Sequence, residues 1–284
     1  MAATDEMSMK KIAIIGLGWL GMPLALALSQ RGYEVQGTKT SEDGVLAARR
    51  CGIDAVKLLT TPNIDCDAQE LEQLMLVDTV IITLPASRSS EGGEHYVHAV
   101  QNLVDTALAY GVKRVIFTSS TSVYGDQQGE VVEASPLLPV TPAGKRLVAL
   151  EQWLHQLPGI DIDVLRLSGL VGPGRHPGRF LAGRQQLTQG DHQVNLVHLD
   201  DVIAAITLLL AASTGGSTFN LAAAQHPRRD EFYPQVAKQL GLTPPTFAAV
   251  EAQGAGGKIV NGEAICRSLG FHYRYSDPFT MPVA

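Results

Sequence analysis

The run Lys11-Ile12-Ala13-Ile14-Ile15 leads directly into Gly16-Leu17-Gly18-Trp19-Leu20-Gly21 and then into the stretch from Met22 to Arg31. After its lysine the first run is apolar without polar alternation, as a strand covered on both faces requires. Pro23 falls in the first turn of the segment that follows, where a missing N–H costs nothing, and Gly32 supplies a helix stop. The stretch therefore reads as buried strand, glycine turn, helix.

The same alternation continues outward. Tyr33 to Gly37 reads as a second strand, and Leu46 to Arg50 belongs to a helix closed by Gly52. Asp78 to Leu84 is a third apolar strand, Tyr96 to Tyr110 a long amphipathic helix, and Val112 to Thr118 the next strand. Leu147 to Leu157 reads as helix and Asp163 to Leu167 as strand. Such alternation predicts an α/β fold, a doubly wound parallel sheet with helices on both faces and right-handed crossovers. After Gly172 the texture changes. Residues 172–190 are rich in Gly, Arg and Pro and read as loop. Short strands at Asn195–Leu199 and Phe219–Leu221, and helices at Asp200–Leu210 (Asp200 as N-cap) and Asp230–Leu240, precede a turn-rich tail. The expected division is a first domain over 10–171 with 194–222 returning to it. A small C-terminal substrate lobe would be built from 172–193 and 223–284, with 1–9 as a disordered leader.

Gly16, Gly18 and Gly21 form G-x-G-x-x-G in the context that gives this pattern meaning, between a buried strand and a helix. Gly16 allows the tight turn, Gly18 lets backbone approach a pyrophosphate, and Gly21 lets the helix pack close to the strand. The amides of Leu17, Trp19 and Leu20 complete the loop, and the helix start offers free N–H groups to the phosphates. This predicts a Rossmann-type dinucleotide site; the alternative is a glycine turn without a ligand. An NAD site places an acid at the end of the second strand. Here that run is Gly37-Thr38-Lys39-Thr40-Ser41. Lys39 can pair with a 2′-phosphate, and Thr38, Thr40 or Ser41 can donate to it, so NADP(H) is favoured over NAD(H). The competing reading leaves Lys39 as a solvated surface charge.

The bulk numbers exclude other classes. The chain has 284 residues, 45% hydrophobic and 18% charged, with a net charge of −6. No basic surplus exists to neutralise a phosphate backbone, which argues against a nucleic-acid partner. Cys51, Cys66 and Cys266 are odd in number and widely spaced, as in reduced thiols of a cytoplasmic protein. No Cys/His cluster has metal-ligand spacing. Lys10-Lys11, the apolar run to Leu28 and Ala25-Leu26-Ala27 mimic a secretory leader with its cleavage site. Glycines and Pro23 interrupt that run, and cleavage would remove the glycine loop. No membrane association is expected.

Several further runs carry a resemblance: Phe117–Gly125 (FTSSTSVYG), Leu165–Arg175 (LRLSGLVGPGR), Asn195–Val202 (NLVHLDDV), Ser217–Ala222 (STFNLA) and the tail run KIVNG…LGF. With the GLGWLG loop, and in this order, they resemble the extended short-chain dehydrogenase/reductase group of sugar-nucleotide epimerases and dehydratases. The likeness is greatest to its atypical, YeeZ-like members. The resemblance implies that Ser120 hydrogen-bonds a substrate hydroxyl or carbonyl. It implies that Leu84, Pro85 and Ala86 pass the adenosine and ribose, and that Ser168, Gly169 and Leu170 lie beside the nicotinamide. It also implies a small-molecule substrate and a homodimer paired through long helices.

One departure is decisive for the chemistry. The family's Tyr-x-x-x-Lys pair falls on Ala143 and Leu147 when Gly144 and Glu151 keep the register of YGxxKLxxE. Alanine cannot exchange a proton, leucine cannot tune a phenol, and Lys145 lies in the wrong helical phase to substitute. Hydride transfer to a carbonyl still needs a proton donor in reach. Tyr124, His95 and Tyr96 are the candidates, the latter two at the start of the long helix; each has a bland reading as a packing or helix-entry residue. The loop Gly172–Arg179 carries Arg175, His176 and Arg179, which suit an anionic substrate; the alternative is a mobile surface loop. His198 before Asp200-Asp201 reads as structural. A substrate pocket is expected between the dinucleotide site and the small lobe. The sequence thus points to an NADP-dependent oxidoreductase or epimerase of non-standard mechanism. A non-catalytic NADP(H)-binding sensor comes second, and a generic nucleotide-binding scaffold last.

Overall fold

A computed structural model of the chain describes residues 10–61, 63–86, 90–249 and 256–283. The expected leader, residues 1–9, lies outside them. In chain order the first elements are β1 (Lys11–Ile15), α1 (Gly21–Ser29), β2 (Glu34–Lys39), α2 (Glu42–Arg50) and β3 (Asp54–Lys57). A short antiparallel pair, β4 (Leu59–Thr60) and β5 (Ile64–Asp65), precedes α3 (Ala68–Met75), β6 (Thr79–Ile82), α4 (Ser90–Ala109) and β7 (Arg114–Ser120). Then come β8 (Gly129–Val131), α5 (Pro142–Leu154), β9 (Asp161–Leu167), β10 (Gly169–Val171), β11 (Leu196–His198), α6 (Leu199–Ala211) and β12 (Thr218–Leu221). The last are α7 (Arg229–Gln239), β13 (Lys258–Val260) and α8 (Ala264–Leu269).

Seven strands form one sheet in the order β12-β9-β7-β6-β1-β2-β3, flanked by helices. β1 pairs in parallel with β2 on one side and β6 on the other. The chain therefore winds outward in both directions from β1, and the order reverses between β1 and β6. Ligands of such sheets bind outside the carboxyl ends of the strands at this reversal. The apolar runs follow from the position of each strand: β1 after its first residue, and all of β6, are buried. This bears out the α/β, doubly wound reading.

Several elements escaped the sequence pattern: β3, the β4–β5 pair, α3, and also β8 and β10, each three residues long. β3 is an edge strand with only Ala55 and Val56 buried, and the β4–β5 pair has two residues per strand. α3 carries its own start signal, Asp67, whose carboxylate accepts from the Gln69 and Glu70 amides. Two boundaries also moved. α4 begins at Ser90, so His95 and Tyr96 stand in its second turn rather than at its entry. α5 begins at Pro142, with the Thr141 hydroxyl accepting the Gly144 N–H at 3.1 Å.

The chain divides into two compact units. One comprises the described residues up to Thr118, with Ala149–Val164 and Thr214–Ser217. The other comprises Ser119–Val148, Leu165–Ser213 and Thr218 onward. The second has its own apolar cluster, in which Val171, Val194, Leu196, Ala223, Phe232, Val236 and Met281 are buried and Tyr233, Tyr275 and Phe279 pack against them. α6 starts in this unit with a correction to the expected cap. His198, not Asp200, is the N-cap: its Nδ1 accepts the Asp200 N–H at 3.1 Å. Its Nε2 lies 2.7 Å from the Pro282 carbonyl oxygen, which can only accept, so the ring carries its proton on Nε2. Asp201 is buried and its carboxylate accepts the Arg274 and Tyr275 amides at 2.7 and 3.2 Å. The pair tethers the tail. Among the described residues no helix is long and apolar enough to cross a membrane.

Candidate functional site

The glycine loop shows three different reasons for its three glycines. Gly16 has a φ of +102°, which L side chains rarely adopt. At Gly21 a Cβ would run into the Gly16 carbonyl oxygen, so α1 starts as close to the turn as a glycine allows. At Gly18 a Cβ would meet nothing within 4 Å, and the residue is exposed. Gly18 is thus the open floor of the loop, while Leu17 and Leu20 are buried beneath it and Trp19 is half-buried.

Two threonines bolt this turn from neighbouring strands. Thr38, at the end of β2, is buried, and its hydroxyl accepts the Gly16 N–H at 2.9 Å. The Thr83 hydroxyl, just past β6, lies 2.7 Å from the Gly16 carbonyl oxygen and donates to it. The Thr38 hydroxyl thus has one lone pair engaged inside the loop and keeps its hydrogen. The Ser41 Oγ likewise accepts the Gly44 N–H, which caps α2 and leaves its hydroxyl hydrogen free to donate. Lys39 is half-buried and Thr40 exposed at the strand end. Thr83 was missed because it reads as one more β-branched strand residue; only its neighbours in the sheet reveal the role.

α1 begins without a side-chain cap and without an acid in its first turn. By contrast α2 has Ser41 with Glu42 and Asp43, and α3 has Asp67 with Glu70. Uncapped N–H groups and the positive end of the helix dipole favour an anion at this start. A dinucleotide pyrophosphate fits this set: an open floor, a fixed turn and an unopposed positive terminus.

The neighbouring candidates lie as follows. Leu84 and Ala86 are half-buried and Pro85 is exposed, directly after Thr83. The Tyr96 hydroxyl donates to the Leu84 carbonyl oxygen at 3.3 Å, and burial pushes its pKa up, so it holds its proton. His95, one residue earlier, is exposed.

In the second unit, the Ser120 Oγ accepts the Ser122 N–H at 3.1 Å and caps the 3-10 turn Thr121–Tyr124. Tyr124 is fully buried. Its hydroxyl donates to Asn220 Oδ1 at 2.7 Å and accepts from the Arg166 guanidinium at 2.8 Å, and burial raises its pKa. That is the geometry of a tyrosine built into the core. On α5, Leu147 is buried and Lys145 exposed, while a Cβ at Gly144 would press on the Ser122 carbonyl oxygen at 2.9 Å. The expected phase of Lys145 matches this exposure. Gly169 and Leu170 lie in β10, which pairs with β11, and a Cβ at Gly169 would meet Leu196 at 2.7 Å. Ser168 is buried, and its Oγ is the only buried side-chain polar atom without a partner among the described residues. Such an orphan costs about 1–3 kcal/mol until something bonds it.

Gly172–Arg175 is a tight turn closed by the Arg175 N–H to the Gly172 carbonyl oxygen at 2.8 Å. His176 caps the following 3-10 turn, its Nδ1 accepting the Gly178 N–H at 2.9 Å. Gly178 packs on the Val236 backbone of α7 with no room for a Cβ. Burial and then the Arg179 charge hold the His176 pKa below its ordinary value. Arg175 and Arg179 are exposed at the two ends of this braced segment.

The fold and this loop define a class: an α/β protein with a doubly wound parallel sheet and a Rossmann-type glycine loop between its first strand and first helix. Residues 12–222 match the model of the NAD dependent epimerase/dehydratase family, and the chain belongs to that family. It is 58% identical over 275 residues to "Protein YeeZ" of Escherichia coli (strain K12), a match covering 97% of this chain and 100% of that protein. Among solved structures it is similar to a short-chain dehydrogenase/reductase superfamily protein from Agrobacterium tumefaciens with bound NAD. There the TM-score is 0.73 at 22% identity, over 93% of both chains. It is also similar to a UDP-glucose 4-epimerase from Thermotoga maritima with UDP-glucose, with a TM-score of 0.74 at 19% identity, over 93% of this chain and 94% of that one.

Proposed function

We propose that this chain is an NADP(H)-binding oxidoreductase or epimerase of the atypical extended type that works without the Tyr-x-x-x-Lys pair. Its substrate is a small molecule, anionic or nucleotide-linked, in the cytoplasm, and the family resemblance makes the chain a homodimer. The observation that carries the reading is the open space above Gly18 at an uncapped helix start. The amides there hold the diphosphate. Lys39 would pair with a 2′-phosphate, and Thr40, or the hydroxyl hydrogens that Thr38 and Ser41 keep while accepting an N–H, would donate to it. The resemblance assigns Leu84–Ala86 to the adenosine half and Ser168–Leu170 to the nicotinamide half; the orphan Ser168 hydroxyl is a ready partner for a carboxamide. Nicotinamide supplies hydride chemistry when bound. Ser120 polarises the substrate oxygen with its hydroxyl hydrogen, since the Ser122 N–H occupies only a lone pair.

A second reading, a non-catalytic NADP(H) sensor, draws on the state of the phenols. Tyr96 and Tyr124 are both engaged and both hold their protons. One experiment separates the readings. Binding of NADPH and NADH is titrated, and oxidation of NADPH is then followed against carbonyl compounds and nucleotide sugars. Turnover lost in Ser120→Ala supports the enzyme. Tight binding with no turnover in either protein supports the sensor. Tighter binding of NADH than NADPH overturns the cofactor preference.

A further inference from the structure

Lys258 is a cation that the proposed chemistry leaves unused, and its backbone is pinned from two sides. β13 pairs in parallel with β8, with Lys258 opposite Gly129. On the other side Asn195 acts as a one-residue strand. Its Nδ2 donates to the Lys258 carbonyl oxygen at 2.9 Å and its Oδ1 accepts the Val260 N–H at 2.8 Å. The preceding residue is held as well, the Gly257 N–H donating to Gln128 Oε1 at 2.7 Å. The side chain therefore starts from a fixed point.

Its ammonium donates to the Gly125 carbonyl oxygen. Gly125 ends the 3-10 turn that Ser120 begins. At about 2 Å of rise per residue, the five steps put the two ends of this turn roughly 10 Å apart. An ammonium has three N–H groups, and one carbonyl satisfies one of them. Among the described residues Lys258 makes no ion pair within 4.0 Å, and Asp126 is the acid whose charge it feels. Burial lowers its pKa. A half-buried cation without a counter-ion is destabilised by lost hydration, and an arriving anion relieves that cost.

We infer that Lys258 is an oxyanion-binding residue, its ammonium taking the carboxylate or phosphate of a substrate whose hydroxyl or carbonyl lies at Ser120, one 3-10 turn away. The Ser120 half rests on the function proposed above; the Lys258 half does not. The substrate class narrows accordingly to hydroxy or carbonyl compounds that carry an oxyanion within roughly 10 Å of the reacting oxygen.

The test uses the full chain with lysines labelled with 13C at Cε and their ammonium groups left unmodified, with and without NADPH. The Lys258 resonance is identified by its loss in Lys258→Met. Inorganic phosphate and malonate are titrated separately, with glycerol as neutral control. The expected result is a saturable movement of the Lys258 signal and an upward shift of its titration midpoint, with the exposed Lys145 unmoved. Response to phosphate alone or malonate alone tells which oxyanion the site takes. A Lys258 signal that ignores both anions, or moves no more than Lys145, overturns the inference. Thermal melting of Lys258→Met and Lys258→Arg checks folding, and Lys258→Arg should keep phosphate-dependent stabilisation that Lys258→Met loses. None of these readouts needs cofactor binding or turnover, so failure of the dinucleotide reading leaves them intact.

Discussion

α1 follows β1 after the glycine turn and α6 follows β11 with no link between them, and the two helices begin in opposite ways. α6 is closed on itself: His198 caps it, Asp200 and Asp201 sit in its first turn, and those groups also tie down the tail. α1 has no cap and no acid, with an exposed glycine before it. A helix start whose own side chains satisfy its donors contributes stability. One that leaves them open offers binding at a cost in stability. The difference separates a structural histidine-acid cluster from the loop proposed to hold the dinucleotide, although both look equally functional as strings of letters.

The sharpest way to break this comparison is Gly18→Val. A Cβ there meets no protein atom within 4 Å, so the melting temperature should stay near that of the parent while NADPH affinity falls about 100-fold or more, close to 2.8 kcal/mol at 1.4 kcal/mol per decade. Unchanged affinity by calorimetric titration would remove the basis of the dinucleotide reading. Next comes the closed helix. Asp201→Ala leaves the Arg274 and Tyr275 amides without their acceptor and should cost about 2 kcal/mol in urea unfolding, with NADPH affinity unaltered. Lys39→Ala should weaken NADPH about tenfold and NADH hardly at all, a difference of about 1.4 kcal/mol. Equal weakening of both cofactors would remove the 2′-phosphate from the argument.

Smaller again is His198→Ala, which removes the cap of α6 and should cost about 1 kcal/mol; His198→Asn should restore most of the cap. The smallest effect is one of pH. The folded pKa of His176 is lowered, so the contribution of its cap to stability is complete above the unfolded value and fades as pH falls through the folded one. The Gly178 amide resonance should therefore stay in place through the ordinary histidine range and move only at lower pH. Movement at or above that range would contradict the burial of this ring.

Much of the fold was legible. β1, β6 and the first half of β7 announce themselves as apolar runs because strands covered on both faces have no polar side to betray their register, while β2 and β9 were placed by the strand–helix alternation around them. β3 and the β4–β5 pair were not legible, being edge or two-residue elements with half-exposed side chains. α4 was read too short because Ser90–His95 carries glycines and charges rather than an apolar stripe. At the site, the glycine loop was readable since all its parts are adjacent. Thr83 was not, because its partner Gly16 is 67 residues away.

The order of residues alone determined a strand, a three-glycine turn and a helix, and the absence of tyrosine and lysine at 143 and 147. These rest on backbone freedom, local spacing and side-chain chemistry, which no partner elsewhere can alter. The tertiary structure alone decided which polar groups were already engaged: Thr38 with Gly16, Tyr124 between Asn220 and Arg166, His198 between Asp200 and Pro282. It also decided which were left over, the Ser168 hydroxyl and two of the three Lys258 donors. The reason is that a hydrogen bond is made between positions in space. Whether a hydroxyl or an ammonium has a partner depends on chain segments that folding brings beside it.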